Sequence, residues 1–187
     1  MKQIIFKKPL EKFSLIVLIP ICLIYTVQIS SASSISIVKK SREIFEIKIS
    51  EIAKRYIGIQ YEFGGSLVKS AAVDNSNLFC LIYDEAAKQA GLRFKGYAPM
   101  EILLQNAFEV PRDKMKNGDL MVLNNGLAAM IYNFENSDKF NLIYASEKRR
   151  QVISFNCQNV VFEAYWLKNL KGYFRLSESM FVPQNNF

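Results

Sequence analysis

Val73-Asp74-Asn75-Ser76-Asn77-Leu78, residues 73–78, reads as the start of a helix. Asp74 has the short side-chain oxygens of an N-cap, and the run from Asn75 to Ala90 is closed by Gly91 at the C′ position. Upstream, Phe45, Ile49, Ile52, Ala53 and Tyr56 recur at intervals of three and four, which predicts an amphipathic helix over 41–57 that ends at Gly58. Ile59–Phe63 is extended and is stopped by Gly64-Gly65. Downstream, a short helix is expected from Met100 to Ala107 after Pro99. Next come four β-prone runs at Asp119–Asn124, Ala128–Phe134, Asn141–Ser146 and Gln151–Phe155, separated by Asn, Gly, Asp and charged turns. A further helix is expected over Gln158–Leu170 and a last strand over Gly172–Leu176, with a frayed tail over 183–187. Helices first and a meander of strands after them predict an α+β domain, with the N-terminal helices packed on an antiparallel sheet.

The totals narrow the chemistry. A chain of 187 residues, half of them hydrophobic, is enough for one packed domain. It contains no histidine, which removes the usual general base at neutral pH and the commonest zinc ligand. Cys22, Cys80 and Cys157 have no paired metal-ligand spacing, so neither a metal nor a cofactor is expected. The net charge is +7, of which Lys2, Lys7, Lys8 and Lys12 against Glu11 supply +3 within residues 1–32. The +4 left over 33–187 is a mild excess that does not call for nucleic acid as a partner.

Those first residues read as an address. A lysine-bearing start, an apolar run from Ser14 to Ile29 and the small residues Ser30-Ser31-Ala32 form the three parts of a secretory signal over 1–32. The same segment, left uncleaved, would be an N-terminal membrane anchor, the only contact with a membrane that the sequence implies. Either way 33–182 is expected to work outside the cytoplasm, in the periplasm or the extracellular space. In an oxidising compartment Cys80 and Cys157 either form a disulfide or remain buried free thiols.

With these landmarks in order, the chain resembles the NlpC/p60 family of papain-like cell-wall cysteine peptidases over residues 45–176. Tyr56–Gly65 is similar to the family's leucine-glycine, proline-tyrosine, aromatic, Gly-Gly segment, and 73–78 falls where the family has Asp-Cys-Ser-Gly. Lys116-Asn117-Gly118-Asp119-Leu120-Met121 is similar to its Pro-Gly-Asp-Leu turn. Ala128–Tyr132 and Leu142–Ser146 fall on its two histidine-bearing strands, and Tyr165-Trp166 and Tyr173-Phe174-Arg175 also have counterparts. The resemblance implies a papain-like fold. It also implies that the positions of nucleophile, base and orienting residue hold Asn75, Ala128 and Tyr144. An amide is no nucleophile and a methyl group moves no proton, so catalysis is expected to be lost.

The same resemblance sets Tyr61, Asp74 and Ser76 around the pocket that receives the free end of a peptidoglycan stem peptide. A phenol, a carboxylate and a hydroxyl suit an ammonium group. Each also has a structural use, with Asp74 as helix cap, Ser76 on a first-turn amide and Tyr61 on the Gly-Gly turn. The expected function is a non-catalytic envelope protein that binds peptidoglycan stem peptides or another envelope protein, a hydrolase it regulates among them. The alternatives are an active wall peptidase or amidase with substituted catalytic residues, and an interaction protein whose cleft is idle. For the first of these, Ser76 is turned about 100° from Asn75, and Cys80 sits about 140° around the helix among apolar neighbours, more than a turn deeper. The basic run Lys148-Arg149-Arg150 is either a solvated turn or a contact for an anionic polymer, a lipid headgroup or an acidic partner.

Overall fold

Helix α1 covers 39–55 and, with the turn that ends it, buries the five apolar residues that predicted it, Phe45, Ile49, Ile52, Ala53 and Tyr56. The structure, a computed structural model, describes residues 39–67 and 70–184. The reading of 1–32 as signal or anchor, and the end of the tail at 185–187, lie outside the described residues. Among those residues no helix is long and apolar enough to cross a membrane.

Helix α2 (Asn75–Gln89) begins and ends where its caps place it. Asp74 Oδ1 accepts from Asn77 N at 2.8 Å, filling one of the first-turn donors that a helix leaves open. At the other end Gly91 takes φ +72° and its amide donates to Lys88 O. The helix buries Leu78, Phe79, Ile82, Tyr83, Ala86 and Ala87 against α1 and the sheet.

The main sheet has eight strands. In chain order they are β1 (Gln60–Tyr61), β2 (Ala72–Val73), β4 (Ala107–Val110), β5 (Leu120–Leu123), β6 (Ala128–Asn136), β7 (Lys139–Ser146), β8 (Gln151–Asn156) and β9 (Leu170–Leu176). Their spatial order is β2-β1-β8-β7-β6-β5-β9-β4. The sheet is antiparallel as expected, with one parallel pair, β1 and β2, at its edge. A separate two-stranded ribbon joins β3 (Leu92–Phe94) to β10 (Phe181–Pro183). Short helix α3 (Met100–Gln105) links β3 to β4. The result is an α+β domain whose described residues from Ser41 onward form one compact unit.

The period of two along the strands sorts their side chains onto two faces. Leu120, Val122, Met130, Ile143 and Val152 face α1 and α2, whereas Met121, Leu123, Ile131 and Leu142 face a second core around Phe140, Phe162 and Trp166.

Two expectations are corrected. Gln158–Leu170 is not one helix. Asn156 Oδ1 takes the amide of Gln158 in a turn, and Asn159 Oδ1 takes that of Val161 as an N-cap, so the helix begins only at Val160. The chain then makes a single wide π-helical turn, Phe162–Leu167, and Leu170 already pairs with Leu123 in β9. The chain is also not frayed from Pro183, because Pro183 pairs with Leu92 and Gln184 N donates to Gly91 O at 3.0 Å.

Candidate functional site

Four elements meet at one end of the sheet: the first turn of α2, the ends of β1 and β7, and the π-helical turn. Between them lies a cleft of about 730 Å³. Tyr61, Asp74, Asn75, Ser76 and Tyr144, named from the sequence, all line it. Ala128 does not. It is 1% exposed and packs into the core beneath α2, and Leu127 takes the place beside the cleft.

Asn75 sits at the centre of this arrangement. The last β6–β7 pair before it is Met130 with Ile143, and continuing that register would set Ala128 opposite Ala145. The Asn75 carboxamide stands there instead. Its Oδ1 accepts from Ala145 N at 2.7 Å and its Nδ2 donates to Ala128 O at 3.3 Å. A side-chain amide has the donor and acceptor of a peptide group, so it carries the ladder across the gap between the strands. The start of α2 is thereby bolted to β6 and β7.

The other polar groups of this turn are engaged as well. Asp74 caps α2 through Oδ1, and its Oδ2 accepts from Gly64 N at 3.1 Å. That second bond fixes the Gly-Gly turn, where Gly64 takes φ +69°. A Cβ on Gly65 would lie 2.8 Å from Glu62 O, so neither glycine is readily replaced. Ser76 Oγ accepts from Met100 N at 3.1 Å, which ties the first turn of α3, rather than its own helix, to α2. Although turned from Asn75, Ser76 still borders the cleft.

Tyr61 is half-buried on the opposite wall. Burial raises its pKa first, and the nearby carboxylates of Glu147 and Asp74 raise it further, with Arg150 pulling it back. The phenol therefore stays protonated at neutral pH and acts as a hydrogen-bonding group. Tyr144 packs edge-on against Trp166, ring centroids 5.2 Å apart, and Trp166 lies against Phe155 at 5.4 Å.

Cys80 is no nucleophile in waiting. Its sulfur accepts from Ala98 N at 3.4 Å and its thiol reaches Ala98 O at 3.5 Å. Burial pushes its pKa up to about 11, the opposite of what an attacking thiolate needs. Cys157 is likewise buried and free, so the two cysteines are not joined. Among the described residues no three His, Cys, Asp or Glu side chains gather as a metal site would require.

Phe63, Glu147, Lys148, Val161, Tyr165 and Trp166 line it as well, beside Ala145 and Ser146, and sequence reasoning alone does not assign them to the site. The landmarks Ser146 and Tyr165-Trp166 are legible, and adjacency to Ser146 is the one cue that brings Glu147 and Lys148 within reach.

No protein-family model matches the sequence, and no curated protein sequence does. A solved structure, that of the peptidoglycan hydrolase RipB from Mycobacterium tuberculosis, is similar at 16% identity and a TM-score of 0.48. The similarity covers 73% of this chain and 65% of that one.

Proposed function

We propose that this chain is a non-catalytic, NlpC/p60-like protein of the cell envelope, exported by its first 32 residues, whose cleft holds peptide rather than cutting it. The observation that carries the reading is the Asn75 carboxamide, engaged at both atoms with Ala145 N and Ala128 O. The residue at the nucleophile position is a fastener between helix and sheet, and the residue at the base position is a buried methyl group. Neither alternative nucleophile is poised to replace it, since Ser76 Oγ accepts from Met100 N and Cys80 is protonated, buried and outside the cleft lining.

Tyr61 and Asp74 remain on the cleft wall with Glu147 beside them, and one phenol and two carboxylates favour a ligand bearing an ammonium. The free amino end of a peptidoglycan stem peptide, or of an envelope protein, has that chemistry. The test is to incubate the full chain with purified peptidoglycan sacculi, assaying the pellet for protein and the supernatant for released fragments by mass spectrometry. Binding without release is the expected result. Release that grows with time would overturn the reading, and absence of both would remove peptidoglycan as the ligand.

A further inference from the structure

Beyond Tyr144 and Trp166 the cleft continues into a second lobe of about 320 Å³, reached past the side chains of Ser146, Lys148 and Val161. Its chemistry differs from that of the first. The acids of the first lobe, Asp74 and Glu147, do not line it, and its charged lining consists of Lys148 and Arg149. The rest is mainly apolar, with Ile153, Phe155 and Val161 over a floor of Trp166. Val161 is 53% exposed, an aliphatic side chain left open to water at the rim.

The cations belong to the β7–β8 turn, Glu147-Lys148-Arg149-Arg150, closed by Arg150 N donating to Glu147 O at 3.1 Å. Within the described residues none of Lys148, Arg149 and Arg150 takes part in an ion pair. Arg150 has φ +56°, a conformation that glycine adopts at lower cost, yet a third cation stands there. The turn therefore carries cations at three successive positions where a neutral residue, or glycine, would serve the backbone as well.

We propose that the second lobe docks an acidic, extended peptide segment of a partner protein, its carboxylates against Lys148 and Arg149 and its apolar side chains on Ile153, Phe155 and Val161. Charge complementarity selects the sign of the partner. The apolar floor selects its kind: a sugar-phosphate polymer answers the cations but leaves that floor wet. A sugar ring finds no platform either, because Trp166 is 1% exposed and packed against Tyr144 and Phe155. An extended peptide with alternating acidic and aliphatic residues answers both at once. This inference uses no residue of the α2 first turn and stands apart from the stem-peptide reading.

Trp166 is the single tryptophan of the chain and lines both lobes, so its fluorescence reports on the cleft, and the Lys148 and Arg149 variants assign a change to the second lobe. The probe is acetyl-Glu-Leu-Glu-Leu-Glu-amide titrated into the full chain, with the corresponding Lys-Leu peptide and poly(glycerol phosphate) as comparators. The expected result is a saturable change with the acidic peptide that weakens as salt is added. The paired substitution Lys148→Glu with Arg149→Glu, both exposed, should weaken binding by about ten-fold or more while the thermal unfolding curve stays unchanged. The proposal is overturned if the acidic peptide gives no saturable change, if the basic peptide binds as well, or if the double variant binds like the parent. It is also overturned if poly(glycerol phosphate) binds more tightly and displaces the peptide, which would assign the lobe to anionic polymers. The capped probe has no free amino group, so its failure would leave the ammonium-binding reading untouched.

Discussion

The first turn of α2 and the β7–β8 turn border the same cleft, and they treat their polar side chains in opposite ways. In the first, Asp74, Asn75 and Ser76 together make five hydrogen bonds to backbone amides and carbonyls of the Gly-Gly turn, α2, α3, β6 and β7. In the second, three consecutive exposed cations have no ion-pair partner among the described residues. One is built as a joint and the other as a surface. The difference separates residues that hold the cleft open from residues available to whatever enters it, a distinction that proximity to the cleft alone does not make.

Stability measurements can break this comparison. The upper end of the scale is set outside the cleft by Asp119, which is 1% exposed and accepts from Arg175 Nε and a second guanidinium nitrogen, each at 2.8 Å, and from Lys116 N. Burial raises the pKa of its carboxyl and Arg175 draws it back down. Asp119→Ala leaves Arg175 without its partner and should cost about 3–5 kcal/mol in urea unfolding. Asn75→Ala should rank next at about 2 kcal/mol, since it strands Ala145 N and Ala128 O at the edge of the core. If Asn75→Ala is neutral, the joint does not exist. Asn75→Cys should cost as much and restore no release of fragments from sacculi, because Ala128 and Tyr144 supply no base. Asp74→Ala, which removes the α2 cap and frees Gly64 N, should cost about 1–2 kcal/mol. Lys148→Ala together with Arg149→Ala should fall within about 0.5 kcal/mol of the parent, as expected of uncommitted surface residues.

A pH test addresses the far side of the same helix. The Cys80 thiol is held neutral in the fold, with its pKa raised from an ordinary value near 9 to about 11. Its contribution to stability is complete below pH 9 and is lost as pH rises through about 11, because there the unfolded chain has released a proton that the folded chain retains. Alkylation of Cys80 at pH 8 should accordingly require unfolding. Rapid labelling of the native protein would reopen the case for a reactive thiol.

How much of the fold is legible in the sequence depends on the reach of the signals that carry it. α1 and α2 are legible because periodicity, Asp74 and Gly91 act within a few residues, and β5 to β9 because runs of β-prone residues end at Asn, Gly and charged turns. β2, β4 and β10 are two to four residues long and are held by partners distant in sequence or by other short strands, so nothing local announces them. The helix expected over Gln158–Leu170 is shorter because the turn at Asn156 delays its start to Val160 and Leu170 already belongs to β9, neither of which composition reveals. The cleft is legible in the same uneven way. Tyr61, Asp74, Asn75, Ser76 and Tyr144 share it, but the fastening of Asn75 depends on backbone groups 53 and 70 positions along the chain. The carboxamide of Asn75 can be read in the sequence. The contacts that it makes across β6 and β7 cannot.

The pairing of β10 with β3 has a consequence for how the domain comes into being. Phe181 inserts into a cluster with Phe45, Tyr83 and Phe94, its ring 4.8 Å from that of Phe45 near the start of the described chain. The hydrophobic centre around α1 is thus finished by a residue that is synthesised long after that helix. A nascent chain emerging from a ribosome carries α1 long before the strand that seals it. The core around α1 cannot close until β10 has been made and has paired with β3.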